Sequence, residues 1–149
     1  MKKITALIVS FVLLMSMFAG CNVNSSKSFT FNVETGDSIK LKLDTTDDYD
    51  ISSELPFVIS CGDEVLSQGT FILAETYDEY VATASDAEKA KMLDSGKKDG
   101  NDYFFWCYND TEWNYVIKIN GSNTGIVLGN NVSEESAKEC FNRLTITVE

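Results

Sequence analysis

Hydrophobic and polar residues alternate with a period of two in several short stretches of this 149-residue chain, and recur with helical spacing in two others. Residues 28–33 put Phe29, Phe31 and Val33 on one face, and residues 38–43 do the same with Ile39, Leu41 and Leu43. A five-residue loop, 34–38, pairs Val33 with Ile39 and keeps both apolar sets on one side of a hairpin. A four-residue loop would set them on opposite sides. Residues 44–54 are polar and acidic and read as a loop. Pro56 opens a strand through Phe57, Val58 and Ile59, which turns at 61–64 and returns along 65–73.

Two stretches have capping-box form, Thr76-Tyr77-Asp78-Glu79 and Ser85-Asp86-Ala87-Glu88. They predict one helix over 77–94, or two short ones broken near Ser85, with Gly96 as the residue past the end. Residues 103–108 and 113–119 form an aromatic hairpin around 109–112. Pairing Tyr108 with Trp113 places Phe104, Trp106, Tyr108, Trp113, Tyr115 and Ile117 on one face, with Tyr103, Phe105, Cys107 and Val116 on the other. A short strand at 124–128 follows. Ser133 then caps a helix with Glu134 and Glu135 in its first turn and Ala137, Cys140, Phe141 and Leu144 along one stripe, where Val132 can staple onto Ala137. Residues 145–149 end the chain as a strand with Ile146 and Val148 inward. Tight turns between neighbouring strands predict an α+β fold: a mostly antiparallel sheet with two main helices packed on it.

The amino terminus follows another pattern. Lys2 and Lys3 precede an apolar run, 4–17, that is too short to span a bilayer and has the flanks of an export signal. Phe18-Ala19-Gly20-Cys21 closes it, and residues 1–21 resemble the signal peptide and lipobox of bacterial lipoprotein precursors. The resemblance implies a signal peptide over 1–20, cleavage before Cys21, diacylglycerol on its thiol and anchorage on a membrane. Two acyl chains suffice for stable anchoring where one does not. Residues 21–27 are then the lipidated cysteine and a polar tether, and 28–149 a single domain. From residue 102 on, the order of aromatic hairpin, short strand, helix and terminal strand is loosely similar to the PsbP/Mog1-like α+β sandwich, whose members act as binding or assembly factors more than as enzymes.

Charge narrows the partners. The chain carries 23 acidic and 12 basic residues, and losing Lys2 and Lys3 with the signal leaves 10 basic ones. Such a surface repels nucleic-acid phosphates and anionic head groups. The absence of histidine removes Ser-His-Asp and Cys-His catalysis and histidine-bearing zinc sites, and there is no P-loop or dinucleotide-binding glycine motif.

Three candidate chemistries remain. Asp44, Asp47, Asp48 and Asp50, with Glu54 nearby, gather hard oxygen ligands suited to calcium, although Ser53 and Ile59 stand where an EF-hand needs glycine and glutamate; otherwise this is a solvated loop. Tyr103, Trp106, Trp113 and Tyr115 would stack on a glycan or a protein partner if exposed, and are core otherwise. With Cys21 lipidated, Cys61, Cys107 and Cys140 are an odd set: either small buried hydrophobes, the preferred reading, or one disulfide, Cys107–Cys140, with one free thiol. The sequence thus points to a lipid-anchored envelope protein that binds an envelope protein or glycan without catalysis and needs no cofactor, calcium being the one candidate ion. The alternatives are a glycan-acting enzyme working through two carboxylates, or a purely structural envelope protein.

Overall fold

A computed structural model describes residues 25–149. Ten strands and two α-helices follow in order: β1 (Ser26–Asn32), β2 (Ser38–Asp44), β3 (Tyr49–Ile51), β4 (Phe57–Cys61), β5 (Glu64–Leu73), α1 (Tyr77–Asp86), β6 (Ala90–Lys98), β7 (Asn101–Tyr108), β8 (Glu112–Lys118), β9 (Thr124–Asn130), α2 (Glu134–Arg143) and β10 (Leu144–Val148). The fold is a sheet-dominated α+β arrangement. A three-stranded sheet has the order β1-β2-β10, a seven-stranded sheet the order β3-β4-β5-β9-β8-β7-β6, and every pairing is antiparallel.

One core joins the two sheets. Phe31, Ile39, Leu41, Leu43 and Ile146 come from the smaller sheet and meet Ile51, Phe57, Ile59, Phe105, Tyr115, Ile117, Ile126 and Leu128 of the larger. Ala137, Cys140 and Phe141 of α2 belong to the same cluster. A second cluster gathers Phe104, Trp106 and Val116 with Ala84, and Tyr77 and Val81 of α1 pack against it. The seven-stranded sheet therefore has apolar side chains on both faces, as expected of strands whose hydrophobic runs barely alternate.

The first hairpin keeps its apolar sets together, but its loop is 33–37 and Phe31, not Val33, faces Ile39. β1 begins at Ser26, so the last residues read as tether are strand, and Lys27 pairs with Asp50 at 2.7 Å. The acidic loop holds a 3-10 turn and β3. Three further expectations fail. First, residues 90–94 are strand β6, not helix, and Gly96 lies inside that strand opposite Tyr103. Neither capping box forms: the Thr76 hydroxyl donates to the Leu73 carbonyl and that of Ser85 to the Val81 carbonyl. The free edge of β7 takes residues 90–98 as its partner, and tertiary pairing overrides a weak helical pattern. Second, the aromatic hairpin has a three-residue loop in which Asn109 and Asp110 adopt left-handed conformations, both with φ 56°. Cys107 therefore faces Trp113 and Phe105 faces Tyr115, a one-residue slip that moves Trp113, Tyr115 and Ile117 to the side of Phe105. Third, Ile146 is inward but Val148 is 40% exposed, and Val132 is exposed too. The Ser133 cap forms as read, its hydroxyl accepting from the Ser136 N–H at 3.0 Å.

Candidate functional site

Cys21 and the signal segment lie outside the described residues. The other sequence candidates resolve into structural roles. Tyr115 is buried, with its ring stacked between Phe105 and Phe141 at centroid distances of 4.1 Å on each side. Burial raises its phenol above the usual tyrosine range. Trp106 is buried on the opposite face beside Phe104 and Tyr80. Tyr103 and Trp113 are half-buried against the main core, and the Tyr103 hydroxyl donates to Asp94 at 2.9 Å. Tyr103, Trp113 and Tyr115 thus share the face that packs on the main core, and Trp106 lies on the other, so burial takes up the aromatic surface on both sides of the sheet.

The acidic quartet is split: Asp44 and Asp47 both approach Arg143, at 3.8 Å and 2.7 Å, whereas Asp50 turns to Lys27. Asp44 accepts from the Thr46 backbone N–H and hydroxyl, which hold its carboxyl below the usual range. Asp50 is drawn to Lys27, whose hydrogen bond lowers its pKa. Asp47 pairs with Arg143 at 2.7 Å, and Asp48 makes no ion pair with a described residue. Arg143 also donates to the Thr46 carbonyl and hydroxyl, pairs with Glu139, and lies 4.1 Å from the centre of the Tyr49 ring. Arg143, 96 residues beyond Asp47, thus brings positive charge from the end of α2 to this acidic loop. Among the described residues no three acidic or cysteine side chains come together as a metal-holding group.

Cys61, Cys107 and Cys140 are free thiols, so the candidate Cys107–Cys140 bridge does not form; Cys107 and Cys140 are buried and Cys61 is partly exposed. Burial pushes the Cys140 thiol up, against the opposing hydrogen bond of Ser67.

The structure instead presents a surface the sequence reading missed. β4 pairs with β5 only as far as Phe57 opposite Gly69, while β5 runs on to Leu73 with β9 alone beside it. A hollow of about 620 Å³ opens along this unpaired edge, bounded by Asn32–Thr35 of the first hairpin, Leu55, and Thr70–Leu73. A second hollow of about 530 Å³ shares Ile72 and Leu73 and continues along α1 past Glu79 and Tyr80. Leu55 is 54% and Leu73 49% exposed, and the two line the same hollow, so their apolar surfaces are neighbours rather than scattered. The first hollow contains a single titratable side chain, Glu34, whereas glycoside hydrolysis requires two carboxylates about 5–10 Å apart.

The hollow is held from below. Asp37 accepts from the Ser122 hydroxyl at 2.6 Å, the Thr124 hydroxyl at 2.8 Å and the Asn123 backbone N–H at 2.9 Å, tying the first hairpin to the β8–β9 turn. These bonds hold its carboxyl below the usual range. The one sequence signal for the surface is the charge order: no lysine or arginine stands between Lys42 and Lys89. No protein-family model, curated protein or solved structure matches this chain.

Proposed function

We propose that this chain is a lipoprotein exported and anchored, through a lipid on Cys21, to the outer face of the cell membrane or to the outer membrane, and that its folded part is a non-enzymatic binding module for an envelope partner. The supporting observation is the position of the open hollow relative to that cysteine. Residues 22–25 separate Cys21 from β1, and the hollow's wall, Asn32–Thr35, stands at the other end of that strand. Seven strand residues at ~3.3 Å each put it about 20 Å from the tethered end. A partner in the envelope space would meet an apolar surface held away from the lipid. In this reading the helices act as covers of the larger sheet, α1 over Phe104 and Trp106 and α2 over Tyr115.

The anchor is tested by metabolic labelling with an alkyne-bearing palmitate in wild type and in Cys21→Ala. Label and membrane association are expected in wild type alone, and equal label in both sinks the anchor. The binding module is tested by cross-linking in intact envelopes. A specific adduct that Leu55→Asp or Leu73→Asp abolishes is expected, and a domain that captures nothing from its own envelope rejects this reading in favour of a structural protein.

A further inference from the structure

The open edge of β5 beside Leu55 and Leu73 also indicates what it binds. We propose that it is a β-strand-addition site for an extended, basic peptide segment of a protein partner; this rests on the binding-module reading above.

Backbone geometry carries the first part. In an antiparallel ladder, successive residues turn their N–H and C=O groups to alternate sides. Ala74 donates its N–H to the Asn123 carbonyl on the β9 side, so Thr70 and Ile72 also face β9. Phe71 and Leu73 consequently direct their backbone groups toward the edge that β4 leaves open. The Leu73 carbonyl is taken by the Thr76 hydroxyl, which leaves the Phe71 N–H and C=O and the Leu73 N–H for an incoming strand. Two of the outer strands, β10 and β6, are protected. The Leu144 and Ile146 carbonyls on β10 are met by Lys98 and Asn101, and β6 carries lysines and a bulge between Met92 and Asp94. The β5 edge has neither device, and four open residues offer ~13 Å to an extended peptide.

Charge carries the second part. Glu34 and Glu79 line the two hollows, Glu54 precedes Leu55 in the chain, and Glu75 stands two residues after Leu73. None of the four forms an ion pair with a described residue, and no lysine or arginine lines either hollow. Anionic lipid or an acidic glycan is repelled there. A peptide alternating apolar and cationic side chains satisfies every feature: its backbone pairs with Phe71, its apolar side chains cover Leu55, Val33 and Leu73, and its cations reach the carboxylates.

The test uses the full chain in non-ionic detergent and the probe acetyl-Lys-Val-Lys-Val-Lys-Val-amide, with detergent alone as blank. Saturable one-to-one binding is expected, with slowed hydrogen exchange at the Phe71 and Leu73 amides. Glu34→Lys with Glu79→Lys should weaken it more than tenfold, and so should backbone N-methylation of the probe. Asp63→Lys with Glu112→Lys, a remote reversal of equal charge, should change it less than threefold. Thermal melts establish that both double variants fold. Lack of binding, indifference to N-methylation, or equal loss from both reversals overturns the proposal. If the peptide result fails while the envelope adduct at Leu55 and Leu73 persists, the occupant is wrong and the binding-module reading stands.

Discussion

At the residue scale, two long-range polar contacts organise the chain. Arg143 stands at the end of α2, where positive charge suits the helix dipole, and draws the 44–49 loop against that end. Its side chain is only 13% exposed, so its bonds to Asp47, Glu139 and Thr46 are partly shielded from water. Arg143→Met keeps the apolar stem and removes the donors. It should lower stability by about 2 kcal/mol in urea denaturation, the scale of lost hydrogen bonds to charged groups. Asp37 acts through a lowered folded pKa, so its contribution is complete above the ordinary carboxylate range and is lost as pH falls through the lowered folded value. Asp37→Asn should therefore reduce the melting temperature at neutral pH, and the two melting curves should converge in acid. Parallel curves across the whole pH range would show that the carboxylate charge has no part in this junction. Thiol chemistry follows exposure: a maleimide should modify Cys61 first in the native chain, with Cys107 and Cys140 reacting only after denaturation, as read by mass spectrometry.

At the element scale, strands that alternate cleanly were legible and those set by their neighbours were not. Ile39, Leu41 and Leu43 alternate strictly, and all three are fully buried as read. The Ser133 cap and the α2 stripe were equally plain, because local chemistry determines both. The first half of β6, 90–94, continues a helical pattern, and nothing within 90–98 announces a strand; its partner, β7, does that from outside. The β7–β8 slip came from one loop residue, and it turned an imagined aromatic binding face into two separate parts of the core. The candidate surface was hidden for a related reason: it exists because β5 outlasts β4, a difference in strand length that appears only once the register is known. One cross-strand pair at that boundary can be tested. A Cβ on Gly69 would lie 2.1 Å from the tip of the Phe57 ring, which is fully buried against Phe31 and Phe71. Gly69→Ala should cost ~1–3 kcal/mol through overpacking, and Phe57→Leu in the same chain should cost less than it does alone. Simple additivity of the two in denaturant titrations would reject the contact.

At the scale of the whole molecule, charge opposes the fold that apolar burial drives. The chain has a formal net charge of −11, and its cation-free stretch, 43–88, concentrates part of that excess beside the open edge of β5. Ion pairs such as Lys27–Asp50, Lys40–Glu149 and Lys138–Glu134 work the other way, but most of their side chains are 38–55% exposed, where such a pair contributes little. Salt weakens both effects. Raising ionic strength from 0.01 M to 0.15 M shortens the screening length from ~30 Å to ~8 Å, which suppresses repulsion across the molecule more than contacts within 3 Å. The balance therefore favours stabilisation by salt. A relief of ~1 kcal/mol would raise the melting temperature by about 4 °C in a domain of this size. Calorimetry at neutral pH in sodium chloride should show that rise, and potassium chloride should reproduce it if screening is the cause. A fall with salt would mean that the ion pairs, and above all the shielded contacts of Arg143, outweigh the acidic excess. In that case the net acidic excess would impose little strain on the free protein. A rise would mean that the acidic excess as a whole is held together at a cost, part of which a cationic partner would relieve on binding.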